Sequence, residues 1–351
     1  MSVEVVRNAF RRQAKSCELL GSPFMGRLMR LCADRLQPNS AIAEQILSWP
    51  GNVSSDGVSV PLRIAGSLHG LCLDGSDPAL IAAYPPNDVP DDQLWAAVDG
   101  ALGRHQDRLR DWLSQAPQTN EVRRSVALIA AALWAKQQFD LPFILSELGA
   151  SAGLNLGLDR FGLEVAGRVY GVPDSPVMLR PIWTGDAPQD SQIKVVEAAG
   201  VDLNPLDTED PASALRIAAY LWPDQPERLQ LTKGAIALRP TYPDAGDAAA
   251  WLETRLQTPR PGHIHMVYHT IAWQYFPPET QARCAAALAS AGAAATPNAP
   301  IVHFGMEADD QPRDAAMRAQ VWPGGDIYSL GRVDFHGRSI DWAPQKTTSA
   351  D

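Results

Sequence analysis

Positive charge is scarce in this sequence. Thirty Lys and Arg stand against 40 Asp and Glu, a formal net charge of −10. A broad nucleic-acid surface needs clustered cations, so none is expected. The basic run from Arg104 to Arg110 reads as the solvated face of a helix. Cysteine is also sparse. Cys17, Cys32, Cys72 and Cys284 are scattered, with no C-x-x-C pair to suggest zinc or redox chemistry. Free thiols of this kind fit a reducing cytoplasm. No apolar run is long enough to span a membrane, and MSVEVVRNAFRRQ has no apolar signal core. The expected partner is therefore a small-molecule substrate, with no nucleic acid and no membrane.

What is present is an ordinary globular composition, 45% hydrophobic and 20% charged over 351 residues. That length suits two domains, or one large domain with an appendage. Residues 1–140 read as helices, with apolar residues at helical spacing in FRRQAKSCELL and SPFMGRLMRLCADRL. Asn120 is placed to cap a helix through VRRSVALIAAALWAKQQF, which should end before Pro142. After Pro142 the pattern changes. FILSEL is a short strand, followed at once by small residues and a helix. The segment 190–240, including SQIKVVEAAG, reads as largely helical. HIHMVYHTIAW and APIVHFGME are strands, and AQVWPGGDIYSLGRVDF is two strands about a Pro-Gly-Gly turn. The expected fold is α/β: a helical N-terminal subdomain (1–140), a mostly parallel sheet closed by an antiparallel hairpin (141–343), and a frayed tail (344–351).

Two motifs overlap in ELGASAGLNL. Gly149-Ala150-Ser151-Ala152-Gly153 spells the G-x-S-x-G elbow of serine hydrolases. A triad built on Ser151 would need an acid and a histidine downstream, and Asp247 with His303 or His336 has the right order. No HGGG-type oxyanion loop precedes it, and the chain before it is helical. The other motif is E-x-G-x-x-x-G, from Glu147 through Gly149 to Gly153. Small residues allow close approach of a ligand, and the helix beginning near Asn155 would offer its amides. Glu147 at the strand end would accept hydrogen bonds or attract an ammonium group. This is the logic of S-adenosylmethionine binding.

The region around Tyr268 and His269, followed by AWQYFPPETQARCAAALA, resembles the fourth-strand region of class I methyltransferases. Asp247 resembles the acid after their third strand, and Asp202 in GVDLNPLD the acid after their second. The resemblance implies a Rossmann-like sheet in which Glu147, Gly149, Ala150, Ser151, Gly153, Asn155, Asp202 and Asp247 hold the cofactor. Asn120 would fold over it, and His269 and Tyr268 would lie near the acceptor. His263, His265 and His269 alternate on one strand face, but no acid joins them there; a structural role outweighs a metal site. QTNE, ELGASAGLNL, GVDLNPLD, LWPDQPERL, WPGG and His336-Gly337 together resemble the bacterial domain of unknown function 2332 family. That family implies no assigned reaction. A serine hydrolase and a non-enzymatic binding module are the alternatives to methyl transfer.

Overall fold

The computed structural model describes residues 3–55, 57–311 and 313–347. It divides into two units, Met1–Thr119 with Thr208–Gln230, and Asn120–Asp207 with Leu231–Asp351.

The first unit is helical. Its helices in chain order are α1 (Val3–Leu19), α2 (Pro23–Arg35), α3 (Ala41–Leu47), α4 (Val60–Leu73), α5 (Pro78–Ala83), α6 (Asp91–Arg104) and α7 (Gln106–Leu113). Local chemistry starts several of them. Ser22 and Asp77 accept backbone amides at the N-termini of α2 and α5, each just before a proline at the first helical position. Their apolar faces meet in a core that includes Phe10, Leu28, Ile42, Ile64 and Leu68. The second unit opens with a 3-10 turn, Val122–Arg124, and α8 (Ser125–Phe139). The chain later returns to the first unit with α9 (Pro211–Ala219), which packs on α4.

This division differs from a boundary at residue 140. The helix α8 is apolar all round and buried from Ser125 to Leu133, so it needs cover on every side. Part of that cover is the second unit's own sheet, and α8 belongs with it.

The remaining elements are β1 (Phe143–Leu148), β2 (Gly162–Val165), β3 (Arg168–Gly171), β4 (Met178–Leu179), β5 (Ile182–Gly185), β6 (Val195–Asp202), α10 (Pro226–Leu238), β7 (Asp244–Ala245), α11 (Ala248–Arg255), β8 (Ile264–Thr270), α12 (Pro278–Ala293), β9 (Ile301–Glu307), β10 (Ala315–Trp322), β11 (Asp326–Val333) and β12 (Ser339–Lys346). Among the described residues, nine strands form one sheet in the order β5-β12-β11-β10-β9-β8-β1-β6-β7. The block from β7 to β9 is parallel, and β10 to β12 continue as an antiparallel meander. The protein is thus a mixed α/β structure with a large, mostly parallel sheet. A smaller sheet has the order β3-β2-β4.

Two local expectations are corrected. SQIKVVEAAG, expected as helix, supplies β6. Its Ala, Lys and Glu favour helix in isolation, but parallel pairing with β1 prevails. Gly200 in β6 lets the neighbouring loop approach, since a Cβ there would lie 2.7 Å from that of Ala150. The tail expected to fray from residue 344 instead stays paired on β11 as far as Lys346, while residues 348–351 lie outside the described residues.

The topology places an edge of interest. From β1 the chain moves to β6 and β7 on one side, then returns to β8 on the other. Such a reversal leaves a crevice outside the carboxyl ends of the strands. The residues at that edge are those after Leu148, Asp202 and Thr270.

Candidate functional site

The loop after β1 is a run of tight backbone turns. Gly149, Ser151 and Gly153 have φ of 72°, 53° and 70°. Glycine adopts this region freely, whereas for Ser151 it costs on the order of 1 kcal/mol. The loop's amides show what holds it. Gly149 and Ala150 donate to the Val201 carbonyl, Ser151 to Asp202 Oδ2 at 2.8 Å, and Gly153 to the Ala150 carbonyl. Ala152 and Leu154 both donate to Asn120 Oδ1, at 3.2 and 3.0 Å. Every amide from Gly149 to Leu154 thus has an acceptor inside the protein.

This alters the picture of a cradle with open amides. The segment after the loop, Leu154–Arg160, is 3-10 rather than α-helical, and Asn120 already takes its first amide. Asn120 does not cap α8, which begins at Ser125; Glu121 caps the intervening turn by accepting the Arg123 amide. The space beside the glycines is also filled. A Cβ on Gly149 would lie 2.6 Å from that of Ala272, and one on Gly153 would lie 3.1 Å from the Pro243 ring.

Because Asn120 is buried and serves two buried amides, Asn120→Ala is expected to cost about 2 kcal/mol. Asn120→Asp, which keeps the acceptor, should cost less. Urea unfolding of both variants checks this; equal losses would mean that the acceptor is not what matters.

Beneath the loop lies a buried polar network. Glu147 pairs in register with Tyr268 of β8, so the two side chains share a sheet face. Ser125 Oγ donates to Asn155 Oδ1 at 2.8 Å, Tyr268 Oη donates to the Asn155 carbonyl at 3.4 Å, and the Asn155 and Tyr268 side chains favour the ionised Glu147 carboxyl without outweighing its burial. Burial pushes the Glu147 carboxyl up to about 8, and the Asp202 charge adds to the rise. Two atoms here have no hydrogen-bond partner among the described residues: Glu147 Oε2 and Ser151 Oγ. Both side chains are buried, at 2% and 7% exposure, so each orphan carries a real desolvation penalty.

The other candidates are more committed. Asp202 divides its oxygens between the amides of Ser151 and Asn204. Asp247 caps α11 through the Ala250 amide and accepts from Thr280 Oγ1. The Ala250 amide is the main reason its carboxyl sits below the usual range. Asp247 therefore does not orient a histidine toward Ser151, and no imidazole bonds Ser151 Oγ. The three histidines around β8 diverge: His263 bonds the Pro261 carbonyl, His265 bonds Ser146 Oγ, and His269 bonds Glu307.

His269 and Tyr268 point to opposite faces of the sheet. Tyr268 is fully buried, while His269 belongs to a second cluster that sequence reasoning did not assemble. His269 Nδ1 donates to Glu307 Oε1 at 2.7 Å, and its Nε2 lies 3.1 Å from His303 Nε2. The amides of Ala272 and Trp273 also donate to Glu307 Oε1. Burial pushes the Glu307 carboxyl up, but these donors, led by His269, bring it below its ordinary value. Trp273 stacks on His269 at 4.8 Å. The alternation His303, Gly305, Glu307 was visible in the sequence; what was missing was the register that sets Gly305 against His269.

Residues 7–342 match a family described as an uncharacterized protein conserved in bacteria (DUF2332), and the chain belongs to that family. No curated protein matches the chain.

Proposed function

We propose that this chain is an S-adenosylmethionine-dependent methyltransferase with a Rossmann-like class I sheet, acting on a small or medium acceptor. Numbered by their order in the chain, the parallel strands β7-β6-β1-β8-β9 run 3-2-1-4-5. That strand order is the one doubly wound sheets use, with its reversal beside β1, and it supports the reading. The observation that carries the reading is the orphaned pair at that reversal, Glu147 Oε2 and Ser151 Oγ. Two buried polar side chains on one five-residue stretch are costly unless a ligand completes them.

The residues fit the amino-acid end of such a cofactor through side chains rather than amides. A phosphate cradle is a poor fit, because every loop amide is already bonded. An ammonium group is a good one: it offers Glu147 the donor its free oxygen lacks and favours the ionised carboxylate. Ser151 Oγ would bond a neighbouring polar atom of the ligand. When bound, the cofactor supplies an electrophilic methyl on sulfur. The chain's own part is to orient donor and acceptor and to exclude water. Asn120 and Asp202 keep the loop in one shape by holding its amides. The reading carries with it a small-molecule acceptor and a cytoplasmic setting.

Calorimetric titration with S-adenosylhomocysteine tests this, with ATP and NAD as comparisons. Saturable binding of the thioether alone is expected, with a rise in melting temperature. Glu147→Gln should weaken it about tenfold or more, a loss of about 1.4 kcal/mol. A flat trace with both S-adenosylmethionine and S-adenosylhomocysteine would sink the proposal. So would covalent labelling of Ser151 by a fluorophosphonate.

A further inference from the structure

The second cluster faces a cavity. Trp273, Leu288, Gly292, His303, Gln320 and Trp322 are among the residues lining a space of about 490 Å³ between α12 and β9–β10. Small residues on α12 leave the room, and Trp322 packs so closely on Gly292 that a Cβ there would strike its indole. The walls are thus two indoles and an imidazole, surfaces suited to a flat ring. Among the described residues lining this cavity, His303 is the only one whose side chain can take up a proton and pass it on. Behind it the chain of contacts runs to His269 and then Glu307, and Glu307 Oε2 has no hydrogen-bond partner among the described residues.

We propose that this cavity binds a small planar molecule bearing an acidic O–H or N–H, of the phenol class, and that His303, His269 and Glu307 take up its proton. The tautomers allow it. Glu307 accepts His269 Nδ1–H, so in the neutral ring Nε2 is an acceptor, and His303 Nε2 carries the hydrogen between them. In the transfer the ligand O–H bond breaks and a bond to His303 Nδ1 forms. His303 Nε2–H then passes its proton to His269 Nε2. The products are a bound phenolate, a neutral His303 and a His269 imidazolium paired with the Glu307 carboxylate. No electrons move between groups, and net charge is conserved.

The two histidines have different tasks. Burial pushes the His303 imidazole down to about 3, with His269 adding to the fall, so it is suited to pass a proton on rather than hold it. His269 is the one held against a carboxylate, its Nδ1 2.7 Å from Glu307 Oε1, so a proton passed to it arrives beside a negative charge. Gly305 belongs to the same design. A Cβ there would lie 2.8 Å from His269 Cε1 and tilt the ring off its partners.

The probe is 4-nitrophenol, whose phenolate absorbs visible light, titrated against the intact protein across pH. Saturable binding is expected, with the bound probe ionising about one pH unit or more below the free probe. Glu307→Gln, of the same shape, should still bind the probe but abolish most of that shift. Ala289→Leu, at an exposed lining position, should weaken binding about tenfold. Circular dichroism verifies folding, and His303→Gln replaces Glu307→Gln if the latter unfolds. No saturable binding to the folded protein overturns the proposal. An unshifted probe, or a shift that survives loss of the relay, overturns it equally. The assay contains no methyl donor, so its failure and the failure of the methyl-transfer reading are separate events.

Discussion

Replacing Glu147 with glutamine should make the protein more stable relative to wild type as pH rises, by on the order of 4 kcal/mol between about pH 4.5 and 8. The sign follows from the proton count. The unfolded chain ionises this carboxyl near its ordinary value of 4.5, while the folded chain keeps it protonated to about 8. Across that window the native state holds one more proton than the unfolded state. Stability attributable to Glu147 is therefore full below 4.5, falls as pH rises, and levels off above 8. Glutamine does not titrate, so the variant lacks this slope. The physical cause is burial at the end of β1 with one carboxyl oxygen unpartnered, reinforced by the Asp202 charge. Urea unfolding of both proteins at several pH values gives the difference directly. Curves that stay parallel from pH 5 to 8.5 would mean that Glu147 is ionised in the folded protein, with a compensating donor nearby. S-Adenosylhomocysteine gives a second reading of the same group. If its ammonium completes Glu147, it should release a proton on binding near pH 7, and buffer-dependent heats of binding would record that release.

The parts of the fold legible in the sequence were those governed by local pattern. The strand FILSEL, its small-residue loop and the terminal strand pair are short-range features, and the structure has them at Phe143–Leu148, Gly149–Gly153 and Ala315–Val333. β6 was not legible, because its residues suit a helix and only pairing with β1 makes them a strand. The site divides in the same way. Glu147 stood out as an acid closing an apolar strand. The roles of Asn120 and Asp202 as acceptors for loop amides depend on contacts 32 to 51 positions apart, which no spacing rule reveals. The Glu307–His269–His303 array was hidden for the same reason. Each residue was visible within its own strand, but the parallel register of β8 on β9 brings them together.

Gly337→Ala is the other substitution expected to have a large effect, and it acts at a distance from any ligand. Gly337 lies in the turn between β11 and β12 with φ of 69°. Alanine in that conformation costs about 1 kcal/mol by itself. The larger cost is steric. A Cβ at 337 would overlap the Arg123 carbonyl and press on the Arg124 amide, and these are backbone atoms that no rotamer change can move aside. The turn is held from within, by Asp334 accepting the amides of His336 and Arg338 and pairing with the Arg338 guanidinium at 2.7 Å. The Arg123–Arg124 segment is held as well, since Arg124 donates to the carbonyls of Phe335 and Thr270. Neither side yields cheaply, so a loss of about 3 to 5 kcal/mol in urea unfolding is expected. The control is Gly167→Ala, at φ of 78° with nothing within 4 Å of the added carbon. It carries the conformational cost without the clash and should lose only about 1 kcal/mol. Equal losses in the two variants would show that backbone strain alone sets the value and that the close approach of Gly337 to Arg123 is incidental. If the clash is real, the effect should reach the loop after β1. Asn120 lies three residues before Arg123 and supplies the acceptor for Ala152 and Leu154. Hydrogen exchange at those two amides should quicken in Gly337→Ala and stay unchanged in Gly167→Ala.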